Sequence, residues 1–330
     1  MADRIYLWDN LKVLLMMLVV MTHSVNIYQL EGYEWIQYLW VFIMTFTMPL
    51  FMIISGFWYK PRSASYSFQH FLFPCLLFSA INISGGVICG AYPNGVVLTK
   101  SGWAMWYIWA LFLYNVITPM LLNKLGNTKT LALSILLAVI CGFRFLDNNI
   151  LDAQRVVNFY PYFLIGICLR KQELRIYSLN KKNKFIWCLS FSILIIVYLI
   201  LCYYRNGFCY GTGFMQIHGF SIVGFISKWL NFILCLLLSA SVMMIIPNRK
   251  LWFSKYGSRT MNVYMLHMSI IFPLCWWLMR PMMNEWYGYL LYIFVVPFVC
   301  SFLFSEKVDM FMKPILALPN KIFTKRNGQI

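Results

Sequence analysis

Residues 11–29 read LKVLLMMLVVMTHSVNIYQ. A chain crosses a bilayer as a helix of about 20 mostly apolar residues, because a helix satisfies every backbone polar group where no water is present. This run fits that length and holds two ionisable side chains, Lys12 and His23. Ionisable groups inside a span are costly and point to function. His23 follows Lys12 by eleven positions. That is close to three helical turns, so both project from one face, about 16 Å apart along the axis. Met16, Val19 and Asn26 share the stripe.

Working outward, nine further runs have the same character: roughly 36–57, 68–91, 103–122, 130–146, 156–170, 185–204, 222–246, 262–279 and 287–305. The run at 156–170 is short, with Pro161 near its start. Composition agrees with a lipid-facing exterior. Of 330 residues, 61% are hydrophobic and 11% charged, against about 25% charged in a soluble domain. Aromatic residues make up 19%, as suits interfacial Trp and Tyr belts. The expected fold is therefore all-α: a polytopic membrane bundle of about ten transmembrane helices, forming a single domain over residues 1–330.

The net charge of +17 does not indicate nucleic acid. The basic residues lie in short loops between apolar runs, where they encode topology. With both termini in the cytoplasm, only Lys100, Arg144, Arg155, Arg205, Lys228 and Arg280 fall elsewhere, and 21 of the 27 Lys and Arg fall on the cytoplasmic side. This asymmetry predicts a multi-pass protein of the cytoplasmic membrane with membrane lipid as a partner. The stretch from Arg170 to Lys184 reads as a basic loop over anionic headgroups. The Gly-rich stretch from Arg205 to Ser221 reads as a partly re-entrant loop. No cleavable signal peptide and no soluble domain at either end are expected. The ten Cys are scattered without a CxxC pair, which argues against a zinc or redox site. No metal site is expected. No internal repeat is visible, which weighs against an inverted-repeat transporter.

Each half of the first-span pair has a plain alternative. Lys12 can be a snorkelling lysine that only sets topology, and His23 can be a hydrogen-bonded packing residue. The spacing joins them. The stretch RIYLWDNLKVLLMMLVVMTHS (residues 4–24) resembles the opening of the acyltransferase-3 family of membrane acyltransferases, in which a basic residue precedes a His by ten intervening residues. Here the basic residue is Lys12, with Asp9 shortly before it. Four more stretches resemble the family in order. MPLFMIISGFWYK carries Pro49, Leu50, Phe51, Ser55, Gly56 and Phe57; GWAMWYIWALFL carries Trp106 and Tyr107; YPYFLIGICLRK carries Pro161, Phe163 and Gly166; SRTMNVYMLH carries Tyr264 and His267. One departure stands out. Many members place paired Arg before a Pro between the second and third spans, and this chain has Gln69 and His70 before Pro74. The lack of an appended soluble domain resembles the sugar O-acetyltransferase branch.

The resemblance implies an acetyl-CoA-dependent O-acetyltransferase acting on a carbohydrate acceptor, with the acyl-CoA as a substrate and no permanently bound cofactor. Acyl transfer to a hydroxyl needs a base, and His is suited to that near neutral pH. His23 is the expected base, with Lys12 at its donor side. Lys60, Arg62, His70 and Arg259 are expected on the donor phosphates; Arg249 and Lys250 share their basic loops. Asn26, Trp103, Trp106, Arg144, Arg155 and His267 are expected near the acceptor; for the Trp residues an interfacial belt is the alternative. A transporter or flippase for a lipid-linked or secreted saccharide is the competing function. The acceptor's identity and the oligomeric state are not legible in the sequence.

Overall fold

Glycine, proline and charge decide where the apolar runs break. The computed structural model describes residues 5–26, 34–92, 95–96, 103–141, 150–172, 183–204, 222–279 and 286–327. Among them every regular element is a helix. In chain order these are α1 (Tyr6–Asn26), α2 (Glu34–Phe57), α3 (Ala64–Ile88), α4 (Trp106–Cys141), α5 (Ala153–Arg170), α6 (Lys184–Tyr204), α7 (Ile222–Ile245), α8 (Thr260–Ile271), α9 (Trp286–Leu303) and α10 (Glu306–Asn327). α3 widens into a π turn at Phe68–Leu72, and α8 runs on into a π segment at Phe272–Met279. Among the described residues three stretches, α3, α4 and Lys228–Ile245 of α7, are long and apolar enough to cross a membrane. Shorter apolar stretches lie in α2, α6, α8 with its π segment, and α9. The fold is a helical membrane bundle.

Two features differ from the reading of the sequence. The runs at 103–122 and 130–146 fall on two helices that follow one another within the range given for α4, as the reading of the sequence expected, but a kink rather than a longer polar loop divides them. A single residue makes the kink: Gly126, at φ 74° and ψ 172°, a backbone conformation that is essentially glycine's alone. Lys124 and Lys129 are thus helical residues on either side of the break. The second feature is α10, a C-terminal helix with Pro314 and Pro319 inside it and no resemblance to a span. By contrast, Pro161 does not shorten its helix. α5 is continuous from Ala153 to Arg170 around it. The stretch 205–221 and most of the basic loop after Arg170 lie outside the described residues.

The chain forms two compact units. The first comprises residues 1–60, 122–148 and 153–258; the second comprises 61–121, 149–152 and 259–330. The first unit is built on the crossing of α2 and α5. A Cβ on Gly56 would lie 1.8 Å from the Phe163 carbonyl oxygen, and one on Gly166 would lie 2.1 Å from that of Ile53. Only hydrogen fits at either position, so the two backbones touch. Small residues are what let membrane helices approach so closely. α7 packs on α2, with Ser239 Oγ donating to the Phe46 carbonyl at 3.4 Å. α6 leans on α2 through Phe42, Phe46, Phe191 and Tyr198. Its other side exposes Phe185, Ile186, Ile196 and Ile200, a surface suited to lipid. In the second unit α8 is central, packed by α3, α9 and α10.

Candidate active site

In the first unit, α1 begins at Tyr6, so Lys12 sits inside the helix rather than at its end. The stripe predicted from spacing faces inward. Met16 and Val19, midway between Lys12 and His23, are 1% and 0% exposed. Lys12 and His23 are both half-buried at the two ends of this apolar stretch. Thr22 and Ser24 turn their hydroxyls back onto the Val19 and Val20 carbonyls at 2.9 and 2.7 Å. The side chain of Asn26 lies outside the described residues.

The Lys12 end is held rigidly. Lys12 Nζ pairs with Asp9 at 3.1 Å, one turn earlier on the helix. Beside them, Asn10 is fully buried and ties α1 to the segment after α7. Its amide donates to the carbonyls of Pro247 and Arg249 at 2.9 and 3.0 Å, and its oxygen accepts from Ser254 Oγ at 2.6 Å. The Leu7 amide donates to Asn248 Oδ1 at 3.0 Å. A Cβ on Gly257 would come within 2.5 Å of Asp9 Cβ, so this segment lies directly on the acidic partner of Lys12. The same segment exposes Arg249, Lys250 and Lys255, the last over the Tyr256 ring at 5.1 Å. One end of the unit therefore gathers fixed positive charge, an arrangement that attracts phosphate. Trp8 packs against Phe57, tilted at 4.3 Å, and edge-on to Trp58 at 6.3 Å, fixing α1 against the end of α2. Lys60, just beyond, is exposed.

In the second unit, the place where paired arginines were missing has its own construction. Ser63 caps α3 by accepting from the Tyr66 amide at 3.2 Å. Arg62 lies over the Tyr66 ring at 5.0 Å. His70 stacks on the same ring at 3.9 Å and 13°, with Nδ1 donating to the Tyr66 carbonyl at 3.0 Å. Four-residue spacing puts Tyr66 and His70 on one face, and the π turn begins two residues before His70. The result is an exposed stack of guanidinium, phenol and imidazole. Such stacks and π turns recur at functional sites.

The same unit brings Trp106 and His267 into one buried cluster. Trp106 contacts Tyr107, Tyr107 contacts Tyr264 at 5.3 Å, and Tyr264 contacts His267 at 5.9 Å. The Tyr264 hydroxyl donates to the Ala104 carbonyl. His267 is fully buried, and its Nδ1 faces the Val263 and Tyr264 carbonyls at 3.1 and 2.7 Å. Ser269 donates to the buried Asn82 at 2.7 Å. Trp103 opens the turn before α4, but its side chain, like all of Arg144, lies outside the described residues. Arg259 is engaged at the start of α8. It donates to the Phe304 carbonyl at 3.0 Å and to Glu306 at 2.9 Å, bracing the junction of α9 and α10. Asn262 adds a bond to Asp309 at 2.9 Å.

Five separated stretches of sequence thus act as contacts. Gly56 and Gly166 form the α2–α5 crossing, Phe57 meets Trp8, and Tyr107 meets Tyr264. A family model described as an acyltransferase domain matches residues 5–306. The chain belongs to the acyltransferase-3 family. This acyltransferase is a membrane protein, and the described residues of the matched region form apolar helices. No curated protein and no solved structure matches it. The polar residues at the interior of α5 and α7, Gln154, Asn158, Lys228 and Asn231, did not stand out in the sequence. Their signal was present: helical spacing of polar side chains inside apolar runs.

Proposed function

We propose that this acyltransferase moves an acetyl group from cytoplasmic acetyl-CoA to a hydroxyl of a cell-envelope or exported carbohydrate, with His23 as general base. The observation that carries the proposal is the inward α1 face, on which a half-buried imidazole and a half-buried ammonium flank the buried Met16 and Val19. His23 takes the proton of the acceptor hydroxyl as its oxygen attacks the thioester carbonyl carbon. The C–S bond then breaks, and the imidazolium returns the proton to the sulfur. The products are an O-acetyl ester and free CoA.

Donor phosphates are assigned to the cations. Lys12 and Lys60 offer ammonium groups, Arg62 and His70 offer the stack on Tyr66, and Arg259 offers what its bonds to Phe304 and Glu306 leave available. Asn26, Trp103, Trp106, Arg144 and His267 are assigned to the acceptor side. The chain sits in the cytoplasmic membrane as a multi-pass protein with both ends in the cytoplasm, as the basic-residue asymmetry supports.

The test is release of free CoA from acetyl-CoA by purified protein in nanodiscs, with and without a hydroxylated saccharide. Acceptor-dependent release that disappears in His23→Ala is the expected result. Wild-type protein that binds a saccharide and moves it across liposomes without releasing CoA would establish the transporter reading instead.

A further inference from the structure

The family match ends at residue 306, where α10 begins, so this helix lies beyond the acyltransferase domain. Its register separates two sides. Val308, Met312, Ile315 and Pro319 recur at steps of four and three; Val308, Met312 and Pro319 are buried and Ile315 is half-buried. Lys307, Phe311, Pro314, Leu318, Lys321 and Lys325 recur at the same steps on a neighbouring stripe. Lys307, Phe311, Pro314 and Leu318 are exposed, Phe311 to 63% and Leu318 to 44%. Met310, also 63% exposed, widens this face. By register the outward face of α10 is apolar in its middle and cationic at both ends.

The charge on α10 is one-sided. Its two acidic residues lie in the first turn and are both engaged. Glu306 accepts from Arg259 at 2.9 Å, and Asp309 accepts from Asn262 at 2.9 Å and pairs with Lys313 at 2.8 Å. Beyond Asp309 the helix has no acid but holds Lys313, Lys321, Lys325 and Arg326. Such a face repels a second copy of itself and is drawn to a negative surface. The prolines add a separate argument. Pro314 and Pro319 lack the N–H that would meet a carbonyl one turn earlier, those of Met310 and Ile315. A carbonyl left without its helical partner is costly in hydrocarbon and is satisfied by water. The helix therefore suits the headgroup level rather than the bilayer core.

We propose that the outward face of α10 lies on the membrane surface and binds anionic phospholipid headgroups, with its lysines on the phosphates and Phe311 and Leu318 in the upper acyl region. A helix whose apolar stripe is bordered by lysines lies in the plane of the interface, held by apolar burial and by charge together. Glu306 and Asp309 tie the start of α10 to Arg259 and Asn262 at the start of α8. The lipid contact thus also anchors the entry to α8. It does not depend on acyl transfer.

The experiment puts a photoreactive benzoylphenylalanine in place of Phe311 in the full chain, in nanodiscs of equal parts phosphatidylcholine and phosphatidylglycerol. Irradiation followed by mass spectrometry identifies what the probe captures. The expected product is a lipid adduct in which phosphatidylglycerol exceeds phosphatidylcholine by about threefold or more. The same probe in place of Phe298, 62% exposed on the apolar α9, captures the two lipids equally. Lys307→Gln, Lys321→Gln and Lys325→Gln together abolish the preference seen from position 311. Molar salt abolishes it as well in the chain with its lysines intact, by screening, and this arm decides where the triple variant fails to insert. No lipid adduct at position 311, equal capture of the two lipids there, or capture of another copy of the chain would each overturn the proposal. A preference that survives in the inserted triple variant, or in molar salt, would overturn it too.

Discussion

His23 and His267 each sit within an apolar helix, yet their surroundings differ. On α1, His23 is half-buried at the end of an inward stripe, between hydroxyl residues that spend their bonds on their own helix. On α8, His267 is fully buried against Tyr264, with Nδ1 held by two backbone carbonyls. The difference separates reach from restraint. A general base must come within about 3 Å of the hydroxyl it deprotonates, and a partly accessible ring can do so. A ring enclosed on every side is better suited to fixing the packing of Tyr264 on Ala104 and Tyr107.

Replacing each histidine tests that contrast directly. His23→Gln keeps size and polarity but cannot act as a base, so turnover should fall by about 10²–10⁴ with the melting temperature unchanged. Acetylation near the wild-type rate in a folded His23→Gln protein would remove the distinction between the two histidines. His267→Leu should do the reverse. Losing a buried hydrogen-bonded group costs about 1–3 kcal/mol, so thermal stability drops and the acceptor KM rises while the kcat of the folded fraction stays within a few-fold. A kcat loss as deep as that of His23→Gln, at unchanged stability, would make His267 the chemical residue.

A smaller effect is expected at the other end of the α1 stripe. Lys12→Ala should raise the KM for acetyl-CoA by roughly tenfold, the scale of one charge-assisted contact, whereas Lys12→Arg should stay near wild type. Equal kinetics for the two in correctly inserted protein would reduce Lys12 to a topology signal. The smallest effect concerns the brace under α8. Lys313 beside Asp309, aided by Asn262, holds the Asp309 carboxyl below its ordinary value. The depressed folded value means that the carboxylate adds stability above the unfolded value near 4, and that this is lost as pH falls through the folded one. Hydrogen exchange in α10 should therefore quicken below about pH 4, and Asp309→Asn should flatten that response. His23 turnover at neutral pH should be indifferent to Asp309→Asn.

Much of this arrangement was legible beforehand because lipid imposes a simple pattern. Among the described residues every expected span has helix at its position, and the α1 stripe faces inward as its spacing requires. Three things were hidden for physical reasons. Gly126 breaks α4 with one residue, and the lysines around it imitate a loop. α10 has too little apolar character to register as a span, so Arg259 looked available until Glu306 and Phe304 were seen to engage it. The polar residues of α5 and α7, Gln154, Asn158, Lys228 and Asn231, lie among so many apolar ones that only their burial sets them apart.

The Asn10 hub has a consequence for how the protein is made. Its partners Pro247, Arg249 and Ser254 lie 237–244 residues further along the chain. At about 5–20 residues per second, roughly 12–50 s of synthesis separate the two halves of the hub. During that interval the first helix is already emerging from the ribosome with the amide of Asn10 and the backbone of Leu7 lacking their final partners. The end of α1 that carries Lys12 is thus completed late in biogenesis. A nascent chain arrested before residue 247 should hold α1 in the membrane with its cationic end still unassembled.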